Sequence, residues 1–200
     1  MVNCKCAPPE GVRLIHWKGR MEKNLKRRTY VFQPGEYVIY GCKGVHRIMD
    51  RVMLAMDGSA SEKEYYIMQP CEKPEGSVYA PVDAVKTNMR RIMTRAEAEQ
   101  FIRTAPDIPL LDVHNRKLLE DACKECIRSC DPEELMRVIR TLYTRKQERL
   151  RQGKKMTLTD IHYLEQAENI LYMELSIIFD VPKDEVPKLI HQTLVQENAI

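Results

Sequence analysis

The pattern of apolar positions changes period near residue 94. Before this point, short runs of β-branched and aromatic residues alternate with turns containing Gly and Pro, which is typical of strands. After it, apolar residues recur three and four positions apart, which is typical of amphipathic helices. The sequence therefore predicts an α+β protein, with a β domain at residues 30–93 and an all-helical domain at residues 94–200.

The first domain is predicted to contain short strands joined by tight turns. Gly41 to Gly44 forms one turn, and Asp57-Gly58 is a hairpin signal. Pro81 cannot donate to a strand ladder, so its strand is expected at an edge or exit position. This arrangement predicts a small SH3-like or Tudor-like β-barrel. The predicted strands are residues 36–40, 45–54, 64–69, 77–82 and 89–93.

The helix boundaries of the second domain are marked by capping residues. Thr94 and Glu97 form a capping box, and Asp131-Pro132 supplies an N-cap followed by proline at the first helical position. The predicted helices are residues 94–105, 114–129, 131–153, a helix from about 159 that ends at Val181-Pro182, and residues 184–196.

Residues 1–29 show no periodic apolar pattern, and we expect an N-terminal extension that is disordered or non-native. Met21 opens a second plausible start. The first twenty residues are therefore interpreted as an upstream extension, an alternative start or a cloning remnant.

Composition restricts the protein to ordinary globular classes, since 44% of residues are hydrophobic and 30% are charged. No apolar run is long enough to cross a bilayer, and Leu14, Ile15 and Trp17 are too interrupted by charge for a signal peptide. Without a secretion signal, the seven unevenly spaced cysteines are interpreted as reduced thiols. We therefore predict a cytoplasmic protein.

Charge is segregated along the helical domain. Residues 137–155 carry eight Lys and Arg against Glu148 alone, whereas residues 156–200 carry two Lys against eight acids. Long cations on a helix can lie along a phosphate backbone, although a solvated face with i,i+4 ion pairs is the alternative. We favour nucleic-acid contact that positions the protein without reading base sequence. The cations are Arg137, Arg140, Arg145, Lys146, Arg149, Arg151, Lys154 and Lys155.

The sequence contains no phosphate-binding loop, no His-Glu-x-x-His and no Gly-x-Ser-x-Gly, so no catalytic residue and no cofactor is predicted. The histidines have no partner at an informative spacing and are interpreted as surface or boundary residues. They are His16, His46, His114, His162 and His191.

Cys123, Cys126 and Cys130 are spaced so that one helix face would carry all three sulfurs, as a metal site requires. A closed zinc site needs a fourth ligand, and Cys4-Lys5-Cys6 lies in the predicted extension. We interpret the three cysteines as small buried apolar residues. A metal site stays the alternative.

Five motifs occur in a fixed order over about residues 30–195. Residues 32–48 follow the pattern Phe-x-x-Gly-Asp-x-Val-Val-Tyr-Pro-x-His-Gly-Val-x-x-Ile with substitutions, and residues 129–135 follow Ser-Gly-Asp-Pro-x-x-Leu. The ordered set resembles the CarD/CdnL family of bacterial RNA polymerase-binding transcription regulators. The other matching segments are Glu64-Tyr65-Tyr66-Ile67, Tyr79-Ala80-Pro81-Val82, and Arg140-x-Leu142-Tyr143 with residues 145–149.

The resemblance implies that the Tudor-like domain binds the β subunit of RNA polymerase, with an exposed strand edge suited to β-augmentation. It also implies that the helical domain contacts promoter DNA at the upstream edge of the bubble, mainly at the phosphate backbone, and stabilises the open complex. The expected polymerase-binding residues are Arg51, Met53, Leu54, Val78 and Tyr79. The expected DNA-binding residues are Arg116, Lys117, Arg140, Arg145, Arg149, Lys154 and Lys155.

The sequence departs from the family pattern at three places. Gly41 stands where the family usually has Pro, and Lys43 where it often has His. Some members insert a tryptophan into the minor groove from the start of the second helix, and residues 115–117 contain none. Leu110 or Leu111 is a substitute wedge or, equally, a packing residue.

We therefore predict a non-enzymatic transcription regulator with no membrane and no small-molecule partner. Three alternatives stay open. They are the polymerase-docking module of a transcription-repair coupling factor, a metal- or thiol-dependent enzyme using the 123–130 cysteines, and a general nucleic-acid binder without a polymerase partner.

Overall fold

The computed structural model describes residues 32–55, 62–82, 89–113 and 115–197. The predicted N-terminal extension, its second start at Met21 and the Asp57-Gly58 hairpin signal lie outside these ranges.

The five predicted strands are confirmed, and they form one sheet in the order β4-β3-β2-β1-β5. The α+β class is also confirmed. However, no hydrogen bonds join β4 to β5 within the described ranges, so the sheet is open rather than a closed barrel. The strands are β1 (Tyr37–Tyr40), β2 (Val45–Leu54), β3 (Lys63–Pro70), β4 (Val78–Pro81) and β5 (Met89–Arg91).

The long strand β2 is irregular at its centre. Ile48 pairs with Met68 and Asp50 with Ile67, so one residue of β2 has no opposite on β3. The extra residue is Met49, whose side chain is 47% exposed. A bulge of this kind bends a strand and exchanges the faces of the residues beyond it. Apolar residues of β2 accordingly occupy both alternating sets of positions, with Val45 and Met53 in one set and Ile48 and Val52 in the other.

Within the part of the chain that the structure describes, five α-helices follow the sheet, separated by short connections. Each predicted helix is present, with ends shifted by one or two residues. The helices are α1 (Arg95–Thr104), α2 (Arg116–Ser129), α3 (Pro132–Arg151), α4 (Leu158–Phe179) and α5 (Val186–Glu197).

The helix ends have side-chain and backbone caps. The predicted capping box is present, because Thr94 and Glu97 each bond the other's backbone N–H. The predicted N-cap Asp131 accepts from two backbone N–H groups at the start of α3. Thr157 caps α4 by accepting from the Asp160 N–H at 3.1 Å. These caps fix the helix boundaries through contacts between residues close in the sequence. For this reason the sequence predicted the helix ends to within one or two residues.

The described chain divides into two units. One contains the residues up to Val38 together with His46–Arg90, and the other contains Ile39–Val45 together with the chain from Arg91 onwards. The helical unit therefore includes residues 39–45, which the sequence assigned to the β domain. The 3-10 turn Gly41–Lys43 lies against α2 and α4 within that unit.

Each unit has its own buried apolar residues. In the sheet unit, the Phe32 N–H donates to the Tyr66 hydroxyl at 3.0 Å, and the two rings lie 6.1 Å apart. A second cluster, made of Val52, Leu54 and Tyr65, lies elsewhere in this unit. In the helical unit, the predicted apolar stripe of α3 is buried together with side chains of α4. These residues are Leu135, Val138, Ile139, Leu142, Leu164, Leu171 and Leu175.

Candidate functional site

The edge strand of the sheet unit is β4. It pairs antiparallel with β3, placing Val78 opposite Met68 and Tyr79 opposite Ile67. Its other side has no strand partner within the described residues. Pro81 is the last residue of this edge strand, as its missing N–H predicted. An edge of this kind can accept a strand from another chain.

The strand register separates the expected polymerase-binding residues between the two faces of the sheet. Arg51 stands opposite Tyr66, which in turn stands opposite Ala80, so Arg51 lies on the face of Ala80. Tyr79 precedes Ala80 and therefore lies on the other face. By the same alternation, Met53 and Val78 share the face of Arg51, and Leu54 shares the face of Tyr79. The five residues do not form a single side-chain patch.

Burial further reduces this set. Leu54 is only 5% exposed and belongs to the cluster with Val52 and Tyr65, so its side chain is not available to a partner. Tyr79 packs against the same cluster but is only partly buried. The Arg51 guanidinium lies 3.6 Å from the Glu64 carboxylate, with 12% of its side chain exposed. Of the five residues, Met53, Val78 and Tyr79 therefore keep partly exposed side chains, and Val78 and Tyr79 lie on opposite faces of the edge strand β4.

Arg140, at the centre of the basic helix α3, bonds inward. Its guanidinium donates to the Ile108 carbonyl, and the neighbouring Thr141 hydroxyl accepts from the Leu111 N–H at 2.9 Å. Together these bonds attach the segment before α2 to α3. We therefore assign Arg140 a structural contact that the charge pattern did not reveal.

Two further cations of α3 are paired with acids that sequence reasoning missed. Arg145 lies 3.9 Å from the buried carboxylate of Asp160, at the start of α4. Arg137 lies 2.8 Å from Glu134, one turn earlier on α3. The acids near these cations therefore include two that lie outside residues 137–155, in addition to Glu148 within that range. The Thr157-x-x-Asp160 cap spacing was visible in the sequence, but its proximity to Arg145 was not.

The remaining expected DNA-binding residues lie near one end of the helical unit. Arg116 at the start of α2 donates to the Thr159 hydroxyl at 3.3 Å, which brings the first turns of α2 and α4 together. Lys117 follows it and is exposed. Lys154 and Lys155 are exposed in the α3–α4 connection, and the Arg149 guanidinium donates to the Lys155 carbonyl at 2.8 Å.

Cys123 and Cys126 in α2 and Cys130 at its C-cap are buried, as predicted, and they are free thiols. Because Cys130 lies beyond the last helical residue, the helix face expected to carry all three sulfurs contains only the first two. Burial raises the pKa of Cys123 to about 11, with the Asp160 charge contributing. Burial also raises the pKa of Cys126 to about 12, assisted by Glu134, whose carboxylate accepts from the thiol at 3.1 Å. Protonated thiols are poor nucleophiles, which argues against the thiol-dependent enzyme.

Two other sequence interpretations can be compared with the structure. His46 is 1% exposed and belongs to the interior, so its interpretation as a surface or boundary residue is wrong. Leu110 is 41% exposed, whereas Leu111 is half-buried and held by Thr141. Of the two suggested wedge residues, only Leu110 presents much apolar surface.

Within the described ranges, no three His, Cys, Asp or Glu side chains are grouped so that they would hold a metal ion. No helix in the same ranges is both long and apolar enough to span a membrane.

The described residues thus form a sheet unit with β4 at one edge and a helical unit that carries clustered cations. Residues 32–93 match the CarD-like/TRCF RID domain, and residues 113–191 match the CarD C-terminal domain. The chain belongs to the CarD family, a non-enzymatic family of transcription regulators that interact with RNA polymerase. Because residues 113–191 match the CarD C-terminal domain, the chain is better described as a CarD protein than as the docking module of a transcription-repair coupling factor. No curated protein sequence matches the chain.

Proposed function

We propose that this protein binds the β subunit of RNA polymerase along β4 and contacts promoter DNA with the cations of its helical unit. In this proposal it acts in the bacterial cytoplasm, at the upstream edge of the transcription bubble, and alters the lifetime of the open complex. The polymerase holds the protein beside the DNA, so weak phosphate contacts are sufficient.

The observation that carries the proposal is the accessible edge of β4 in a domain whose family interacts with RNA polymerase. Main-chain hydrogen bonds to an incoming strand would supply affinity, and alternate side chains would supply selectivity. Val78 and Tyr79 flank the edge on opposite faces and would contact the incoming strand from both sides.

The DNA-contacting half of the proposal rests on exposed cations. Arg116, Lys117, Lys154 and Lys155 are exposed and belong to the end of the helical unit where α2 and α4 begin. Contacts from such side chains to phosphates would release counterions, giving binding that weakens steeply with salt. The inward bond of Arg140 and the Asp160 contact of Arg145 favour structural roles for these two residues.

The polymerase half is tested by pull-down of purified polymerase, and of its isolated β subunit, with the tagged full-length chain. We expect Val78→Ala combined with Tyr79→Ala to weaken binding by at least about tenfold, as loss of interface anchors commonly does. Leu118→Ala, at an exposed apolar residue of α2 in the helical unit, is a matched side-chain truncation and should bind normally. Undiminished binding by the double variant would exclude the β4 surface.

The DNA half is tested by open-complex lifetimes on a supercoiled promoter template, with and without the protein. We expect Lys154→Gln combined with Lys155→Gln to reduce the effect on lifetime while leaving the polymerase pull-down unchanged. A protein that binds DNA but not polymerase would instead be a general nucleic-acid binder. A protein that binds polymerase and does not alter any lifetime would contradict the proposed role.

A further inference from the structure

Two exposed leucines flank the connection between α3 and α4. Leu158, the first residue of α4, is 85% exposed, more than any other large apolar side chain within the described ranges. Leu150, in the last turn of α3, is 54% exposed. A single exposed leucine needs no explanation. Leu150 and Leu158 lie at the two ends of one short connection, and the fold leaves most of each side chain exposed.

The connection that carries these leucines is tightly bonded. At the end of α3 the Lys154 N–H donates to the Arg149 carbonyl at 2.8 Å, and the Gly153 N–H donates to the Leu150 carbonyl at 2.9 Å. This is the Schellman pattern, with Gly153 at a φ of 71°. The Arg149 guanidinium then donates to the Lys155 carbonyl, and Thr157 caps α4. The leucines are therefore presented by a bonded turn, which lowers the entropy that binding would cost.

The surroundings of the leucines are strongly cationic. Residues 145–155 contain six Lys and Arg and a single acid, Glu148. Of these cations, Arg151, Lys154 and Lys155 are exposed, and all lie within seven residues of Leu158 in the chain. An apolar surface among cations fits a partner that is both polyanionic and apolar in part. Nucleic acid has these two properties, because charged phosphates flank the bases.

We propose that Leu158, assisted by Leu150, contacts bases in DNA whose stacking is already disturbed, while the surrounding cations bind the adjacent phosphates. This inference rests on the proposed function and assigns a role to residues outside the predicted DNA-binding set. Aliphatic side chains inserted at a base step favour DNA that is locally unstacked. Leu158 therefore favours a melted junction over intact duplex, although the cations bind both.

The test uses the full-length protein and two fluorescent duplexes, one fully paired and one with a short mismatched bubble. Binding is measured by anisotropy over a range of salt concentrations, with 2-aminopurine at the bubble edge as a stacking probe. The variant is Leu158→Ser, which leaves the Thr157 cap in place. Met49→Ser, a substitution at another exposed apolar residue in the sheet unit, is the matched control. Thermal melting verifies that both variants are folded.

We expect Leu158→Ser to weaken binding to the bubble duplex by about tenfold, the scale of burying one leucine side chain. Binding to the paired duplex should change little, and the salt slope should not change because no phosphate contact is lost. The 2-aminopurine signal should rise with the wild-type protein and much less with Leu158→Ser. Met49→Ser should match the wild type in every measurement.

Equal affinity of Leu158→Ser and wild type for the bubble duplex would overturn the inference. If binding then still weakened with salt, the proposed phosphate contacts would stand. Absence of any salt-dependent binding by the wild type would instead refute the DNA half of the proposed function. Two other results would also overturn the inference if Leu158→Ser still bound the bubble duplex normally. One is that this variant loses self-association measured by sedimentation, and the other is that it loses binding to phosphatidylglycerol vesicles. The leucines would then serve a second copy or a lipid surface.

Discussion

The carboxylate of Glu174 accepts a hydrogen bond from the backbone N–H of Met93 at 2.9 Å. Glu174 lies in α4 and is completely buried, and Met93 directly precedes Thr94, the N-cap of α1. On the other side of Met93, the Arg91 guanidinium pairs with Glu97, which lowers the pKa of Glu97 to about 2. The start of α1 is thus held from its own first turn and from α4. Nothing in the local sequence pattern indicates the second contact.

Replacing Glu174 tests this contact. Glu174→Leu removes the acceptor and leaves the half-buried Met93 N–H without it, so we expect unfolding free energy to fall by about 1–3 kcal/mol. Glu174→Gln retains an acceptor oxygen and should be less destabilising. Urea denaturation of both variants measures the difference. Equal stability of Glu174→Leu and wild type would show that the bond contributes nothing.

Cys130 provides a test of backbone strain. It ends α2 at a φ of 58°, in the left-handed region, at the position where the family segment has Gly. Cys130→Ala loses the buried thiol and keeps the strain, whereas Cys130→Gly loses the thiol and relieves the strain. The glycine variant should therefore be more stable than the alanine variant by about 1 kcal/mol. Chemical denaturation of the two variants gives the comparison, and the reverse order would contradict it.

Stability should fall above pH 9 because of the buried thiols. The pKa values of Cys123 and Cys126 are raised to about 11 and about 12 in the folded protein, from an ordinary value near 9. Between the ordinary thiol pKa near 9 and these raised values, the unfolded chain releases protons that the folded chain retains, so rising pH favours unfolding. From pH 8 to pH 10, two such thiols reduce unfolding free energy by about 2–3 kcal/mol.

The double variant Cys123→Ala, Cys126→Ala is the reference for this prediction, since tyrosine ionisation affects it equally. Its stability should decline less than that of the wild type over the same interval. Alkylation by iodoacetamide at pH 8 is an independent measurement. It should label the exposed Cys42 of the native protein and spare Cys123 and Cys126. If the wild type and the double variant lost stability equally between pH 8 and pH 10, the pH dependence could not be assigned to Cys123 and Cys126.

Arg140 and Lys155 should respond differently to neutralisation. Arg140→Met removes the donor to the Ile108 carbonyl, so we expect a loss of about 1–3 kcal/mol in unfolding free energy and little change in the salt dependence of DNA binding. Lys155→Gln, at an exposed position, should leave stability unchanged and reduce the salt slope by about one. Thermal melting and salt-dependent anisotropy separate the effects. A lower salt slope in Arg140→Met would return this residue to the DNA-binding set.

Local signals in the sequence were sufficient for the elements of the fold and for the family. The change from strand to helix period near residue 94, the Thr94 capping box and the Asp131 cap each depend on residues within one turn of one another. The burial of Cys123 and Cys126 also followed from helical spacing, whereas Cys130 lies beyond the end of α2. Such features are set by backbone geometry and short-range hydrogen bonds, so the order of residues alone determined them.

The tertiary structure decided which residues share a surface. The bulge at Met49 and the β2–β3–β4 register place Arg51 and Tyr79 on opposite faces, although both belong to the predicted docking set. The pairing of Arg145 with Asp160 likewise joins two helices, so one of the cations counted in the sequence lies beside an acid from another helix. A one-residue change in register reverses every face, and an ion pair between helices depends on their packing. These are non-local contacts, which a single sequence does not specify by its pattern.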